Sequence, residues 1–169
     1  MGILPEIKDR FTALSFDGSR VDESALERIL EAGRLAPSAK NRQAWRFIAV
    51  TGDAKKGRLA EACYGDPRVS SAGCVVAACT TNVEYKMPNG HLSYPMDLAF
   101  AVSFMALQAR HEDVDSAVLS TYDERAVREI LTAPYGMRVG LLLLLGRAET
   151  KPTVIERLPK SRVLSREHW

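Results

Sequence analysis

The sequence predicts an α/β or α+β domain, a central sheet with helices on its flanks. Three observations carry that expectation. The mostly continuous apolar strands read at Trp45–Val50, Gly73–Thr80 and Arg138–Leu145 favour a sheet covered on both faces. Stretches of helical period alternate with them, Glu23–Leu35 most clearly. At 169 residues the chain is long enough to bury a substantial core as one domain, residues 1–169.

Each element has a local reason. In Glu23–Leu35, Leu26, Ile29, Leu30 and Gly33 share one face, with Asp22 as the cap or Ser24 in a capping box with Glu27. Asp53–Cys63 follows as a second helix, and Gly65-Asp66-Pro67 reads as a turn. Met87-Pro88-Asn89-Gly90 is another turn signal. Beyond it, Asp97–Arg110 is apolar on nearly every side, through Leu98, Phe100, Val102, Phe104, Met105 and Leu107. Such a helix must be covered all round, and in so small a domain a second subunit is a natural cover for one face. Ser116–Leu119 is a short strand, and Thr121 with Glu124 forms a capping box for a helix running to Leu131. Gly146 closes the last strand, and the tail from Arg147 is polar with spaced basic residues.

Composition narrows the function. Hydrophobic residues make up 46% and charged residues 26%, as in an ordinary globular protein. A net charge of +2 is too small to make nucleic acid or an anionic membrane the expected partner. Leu98–Leu107, the longest apolar stretch, is too short to cross a bilayer, and the amino terminus shows no basic segment followed by an apolar run. A soluble cytoplasmic protein is expected. Cys63, Cys74 and Cys79 have neither zinc nor C-x-x-C spacing and read as buried free thiols in a reducing compartment. His91, His111 and His168 are scattered, so no metal site is expected, and Tyr85, Tyr94 and Tyr122 read as packing residues. Phosphate loops of the G-x-G-x-x-G or G-x-x-x-x-G-K-[ST] type are missing, as are a Ser-His-Asp set and a paired-carboxylate site.

One segment carries chemistry. In Ala36-Pro37-Ser38-Ala39-Lys40-Asn41-Arg42-Gln43-Ala44-Trp45, Pro37 stops a helix and Trp45 anchors the following strand. Between them, the Ser38 hydroxyl and the amides of Asn41 and Gln43 offer the mixed donors and acceptors that a planar ring with alternating N–H and C=O groups requires.

This segment resembles the APSxxNxQPW loop of the FMN-dependent nitroreductase family, with Ala44 where the family usually has proline. Four further segments match in order. Arg10-Phe11-Thr12-Ala13-Leu14-Ser15-Phe16 lies where the family has an R-R-S-x-R-x-F-like stretch. Tyr85–Gly90 followed by Asp97-Leu98-Ala99 resembles its turn and long core helix, and Ser116–Glu124 the strand and turn that pass the flavin ring. Leu158-Pro159-Lys160-Ser161-Arg162 is similar to its basic phosphate segment.

The resemblance implies an α+β three-layer fold, with a mostly antiparallel sheet between helices, in a homodimer holding FMN at the interface. Arg10, Thr12, Lys160 and Arg162 would hold the flavin phosphate, for which guanidinium is a fitting partner. Pro37, Ser38, Ala39 and Asn41 would line the flavin from the partner, Gln43 would support the loop, and backbone near Leu119 and Ser120 would face N5. NADH or NADPH would supply hydride, and a flat electrophile (nitroaromatic, quinone or free flavin) would accept electrons, with ping-pong kinetics. No side chain is then required as acid or base, because the cofactor carries the chemistry. Phe11 and Leu14 depart from the basic or polar pattern, and a replacement cation could come from Arg42 or Arg157. That departure leaves open a flavin-holding or regulatory protein of the same fold with little turnover. A family member with different flavin chemistry is the other alternative.

Overall fold

A computed structural model describes residues 2–153 and 156–169. Along the chain run α1 (Pro5–Asp9), β1 (Ser15–Phe16), α2 (Glu23–Arg34), β2 (Trp45–Val50), α3 (Asp53–Ala62), α4 (Pro67–Ser71) and β3 (Cys74–Thr80). Then follow α5 (Tyr94–His111), β4 (Asp115–Leu119), α6 (Glu124–Leu131), β5 (Arg138–Gly146) and β6 (Ala148–Thr150). The main sheet has the order β2-β3-β5-β4 and every pairing in it is antiparallel.

Continuous apolar strands need cover on both faces, and the helices provide it. Alternation along β3 sends Val75, Ala77 and Cys79 into one layer and Cys74, Val76 and Ala78 into the other. In β5, Leu142 and Leu144 join the first set, Leu143 and Leu145 the second. Helices α3, α4 and α6 close the first layer with Leu59, Val69 and Val127, while α2 and α5 close the second with Ile29, Leu98 and Met105. This is the three-layer α+β arrangement expected. Each fully buried leucine in it contributes roughly 1.5–3 kcal/mol.

Glycine sets two close approaches. A Cβ on Gly33 of α2 would lie 2.8 Å from Met105 Cγ of α5. A Cβ on Gly140, where the β3–β5 register slips, would lie 2.4 Å from Leu98 Cδ1. Both contacts hold α5 against its neighbours.

Several boundaries differ from the expectation. Of the two caps expected for α2, Asp22 is the one used, its Oδ1 accepting from Ala25 N at 3.1 Å. The turn at Gly65-Asp66-Pro67 opens directly into α4, where Pro67 takes a first-turn position that needs no N–H partner. Similarly, α5 begins at Tyr94 rather than Asp97, with Pro95 in its first turn. Helix α6 is capped by Asp123, which accepts from Ala126 N at 3.1 Å, and Thr121 plays no part. Glu124 is drawn away from any box: its Oε1 accepts from Arg138 Nε at 2.6 Å and Val139 N at 3.0 Å. Burial works to raise the Glu124 pKa, but these two donors outweigh it and leave it lowered. Part of the tail read as polar is also structured, since β6 pairs antiparallel with β1.

The apolar helix α5 is half covered. Leu98, Val102 and Met105 are buried, whereas Met96, Phe100 and Phe104 remain 40%, 49% and 40% exposed along the opposite stripe. No helix among the described residues is long and apolar enough to cross a membrane. All three cysteines are buried and free. Burial pushes the thiols of Cys63 and Cys74 up to about 11 and that of Cys79 up to about 12, which leaves them unreactive at neutral pH.

Candidate active site

The sheet gathers three of the sequence's candidate segments at one end. Trp45 opens β2 opposite Thr80 at the close of β3, and Thr80 in turn faces Arg138 at the opening of β5. Leu119 closes β4 opposite Leu142. The loop before β2, the segment after β3 and the Leu119–Ser120 turn therefore leave the sheet in the same direction.

The loop from Pro37 to Ala44 is fixed from inside. Asp97, buried on α5, accepts the Ala39 N–H through Oδ1 at 2.8 Å. Ser38 Oγ accepts from Gln43 N at 3.0 Å, and Gln43 Nε2 donates to the Asn41 carbonyl at 3.3 Å. Thr80 Oγ1 donates to the Ala44 carbonyl at 3.2 Å. Lys40, Asn41 and Gln43 have φ of 52°, 53° and 50°. Non-glycine residues hold the left-handed region only where their surroundings over-determine it, and such clusters mark functional segments. Gln43 is thus tied to the loop twice, through its backbone N–H and its side-chain amide. The Asn41 side chain is exposed and makes no hydrogen bond among the described residues, so its donor and acceptor pair stays available.

The 10–14 segment runs beside the β4 edge. Thr12 bridges Ser116 in parallel, and Ala13 N donates to the Ser116 carbonyl at 2.9 Å. Side chains along it alternate: Thr12 and Leu14 face outward, Ala13 is fully buried, and Phe11 packs against the core layer of α3, α4 and α6. Phe11 is thus partly buried against that layer, while Leu14 stands with Thr12 on the exposed face. Lys151 Nζ lies 5.0 Å from the Phe11 ring centroid and 3.7 Å from Asp115 Oδ2, a cation beside this segment that the sequence did not single out. Arg10 caps the end of α1 and is partly exposed. Four residues of strand, about 13 Å, separate Ser116 from Ser120.

Lys160 and Arg162 occupy a short 3-10 turn and are exposed. Neither residue belongs to either core layer, and among the described residues neither pairs with a carboxylate. Arg157 donates only to the Glu156 carbonyl, at 2.9 Å. The Asn41 loop and the Leu119 turn are apart, since β2 and β4 are opposite edges of the sheet, about 14 Å from each other at three inter-strand spacings.

Asp97 is the positioning residue that sequence reading missed. A lone carboxylate inside an apolar helix was its only signal. Tyr122 is a half-buried packing residue whose hydroxyl donates to the Val139 carbonyl at 2.9 Å, and burial raises its pKa. No group of three His, Cys, Asp or Glu side chains among the described residues could hold a metal.

Comparison with known proteins places this arrangement. Residues 7–95, from α1 through the loop to the start of α5, match the model of the nitroreductase family. The chain belongs to the nitroreductase family. It is 25% identical to an oxygen-insensitive NADPH nitroreductase of Helicobacter acinonychis (strain Sheeba), over 94% of this chain and 93% of that one. A shorter stretch, 34% of this chain and 27% of the relative, is 38% identical to the major NAD(P)H-flavin oxidoreductase of Aliivibrio fischeri. Among solved structures, a nitroreductase family protein from Clostridium difficile 630 superposes with a TM-score of 0.87 at 23% identity, covering 100% of both chains. The nitroreductase fold thus extends well beyond the residues matched by the family model.

Proposed function

We propose that this nitroreductase-family protein is a cytoplasmic, homodimeric, FMN-dependent oxidoreductase that moves electrons from NADH or NADPH to a flat electrophilic acceptor. The observation that carries the reading is the Pro37–Gln43 loop. It is pinned through Ala39 to a buried carboxylate, held in left-handed backbone, and left with the Asn41 amide free. A loop serving only to connect α2 with β2 needs none of these.

The residues present fit FMN. Arg10, Lys160 and Arg162 have no carboxylate partner among the described residues, so their charge is available to a phosphate. Thr12 adds an exposed hydroxyl. The span of about 13 Å from the Thr12 bridge to Ser120 suits a ligand with a phosphate at one end and a ring at the other. FMN bound there would supply hydride acceptance and electron donation between a reduced nicotinamide and an electron-poor acceptor. Backbone N–H groups at Ser120 would then orient toward the ring, favouring its reduced form electrostatically. Asn41 of the partner would hydrogen-bond the ring edge, and Pro37, Ser38 and Ala39 would shape the pocket wall and exclude water. No side chain supplies an obligatory proton. One pocket serving donor and acceptor in turn gives ping-pong kinetics.

The dimer has its own support. Met96, Phe100 and Phe104 form an uncovered apolar stripe, and the separation of β2 from β4 requires a second subunit if Asn41 and Ser120 are to reach one ring. The visible spectrum of the purified protein, after FMN loading and dialysis, tests the reading. Retained flavin bands and oxidation of NADH or NADPH are expected. A colourless protein after loading would refute it.

A further inference from the structure

Two cations of the Pro37–Gln43 loop converge on one ring. The Arg42 guanidinium carbon lies 4.0 Å from the Tyr85 ring centroid, and Lys40 Nζ lies 5.6 Å from it. Topology brings them there, because the loop and the segment carrying Tyr85 leave the sheet from the paired residues Trp45 and Thr80. Tyr85 is itself anchored: its carbonyl accepts from the N–H of Ser93, a fully buried residue just before α5.

What distinguishes the pair is the lack of an acid. Arg28, Arg34, Arg110 and Arg138 each close on a carboxylate. Lys40 and Arg42 are exposed and form no ion pair among the described residues. An aromatic face orients a cation without cancelling its charge. Its N–H groups therefore stay free for an outside acceptor, on a backbone held in left-handed conformation at Lys40 itself.

We propose that Lys40, Arg42 and Tyr85 form a phosphoryl-recognition site for the nicotinamide donor at the mouth of the flavin pocket. The guanidinium presents a planar pair of donors that matches a phosphate bidentately, and the ammonium adds a second point charge beside it. The inference rests on the flavin reading above for its placement, since the same loop carries Asn41. The group recognised is either the 2′-phosphate of NADPH or the pyrophosphate common to both dinucleotides.

The test uses flavin-loaded wild type, Arg42→Ala and the Lys40→Ala/Arg42→Ala double variant. Steady-state constants are measured with NADPH, NADH and reduced nicotinamide mononucleotide, and inorganic pyrophosphate is titrated by calorimetry. The double variant should raise the KM for a phosphate-bearing donor about tenfold or more, with kcat held within about twofold, as expected for lost hydrogen bonds to a charged group made equally in ground and transition states. A rise confined to NADPH identifies the 2′-phosphate. A rise for both dinucleotides identifies the pyrophosphate, and its extension to the mononucleotide, which keeps the nicotinamide-side phosphate, assigns the contact to that phosphate. Arg42→Lys should restore part of the loss, and added salt should shrink the difference between wild type and variant. Unchanged KM values for all three donors, with unchanged pyrophosphate binding, would overturn the proposal. Flavin absorbance separates the two ideas: if wild type holds no flavin, the functional reading falls, and loss or retention of pyrophosphate binding in Arg42→Ala still decides this one.

Discussion

The loop before β2 and the tail after β6 are both parts of the proposed flavin site, yet they are built in opposite ways. The loop is held by a buried carboxylate 58 residues away, two internal hydrogen bonds and a threonine at the end of β3. In the tail, the 3-10 turn Lys160–Arg162 contains no buried residue, and Leu158, Val163 and Leu164 are each more than half exposed. One chain contains everything needed to shape the loop and almost nothing to place the tail. The difference is one of support: the loop is shaped by its own chain before any ligand arrives, whereas the tail turn buries no residue, and in the proposed dimer a second subunit would place it.

Removing residues 156–169 is the most severe way to break this contrast. The circular dichroism of the sheet and helices should persist, because that segment adds nothing to either core layer. FMN affinity should fall on the order of 100-fold or more, from two charged contacts worth about 1.5–3 kcal/mol each, and sedimentation should show loss of the dimer. Arg10→Ala and Arg162→Ala should each weaken FMN binding by about 1.5–3 kcal/mol without changing Tm, in a fluorescence titration. Unchanged affinity in both would remove them from the phosphate site.

Asp97→Ala attacks the loop instead. It leaves the Ala39 N–H without its acceptor and should cost about 1–3 kcal/mol of stability in urea unfolding, along with flavin affinity. Asn41→Ala should leave stability within about 0.5 kcal/mol, since the side chain is exposed and unpaired, while turnover or flavin retention drops. Equal losses in the two loop variants would mean that the loop is not preorganised.

The smallest effect concerns α1, tethered by the Glu6–His111 pair at 2.9 Å. The hydrogen bond to His111 lowers the Glu6 pKa, and the same bond raises that of His111. The tether is therefore complete above the ordinary carboxylate range and below the ordinary imidazole value of about 6.5. It fades as pH falls through the lowered Glu6 value, or rises through the raised His111 value. Protection factors of the amides in Pro5–Asp9, after correction for the intrinsic exchange rate at each pH, should be highest inside that window, and this maximum should vanish in His111→Gln.

The sequence revealed most where a single local property decides structure. Apolar runs located β3 and most of β5, because a strand buried on both faces has few polar positions to disguise it, and β2 was legible despite Arg46 on its exposed side. Helix starts were less legible, since Thr121 and Asp123 are both acceptable caps and tertiary contacts choose between them: Glu124, the would-be box partner of Thr121, is taken by Arg138 and Val139 N. Phe11 could be placed correctly only once its neighbour Thr12 was seen bridging Ser116, which fixes which side chains face inward. The loop motif was visible, but the Asp97 that holds it was not. A contact spanning 58 residues leaves no periodicity to read.

The five consecutive leucines from Leu141 to Leu145 in β5 carry a consequence for handling the protein. Native β5 is flanked by strands on both edges and covered on both faces, so Leu142 to Leu145, all fully buried, meet water only when the sheet opens. An uncharged, wholly apolar run with no proline to interrupt it is an efficient seed for intermolecular association once exposed. Heating should therefore end in precipitate rather than a reversible transition, and the apparent melting temperature should climb with scan rate. Shelf life is then governed by how seldom that central strand is uncovered, and a bound ligand that slows its opening would act as a preservative.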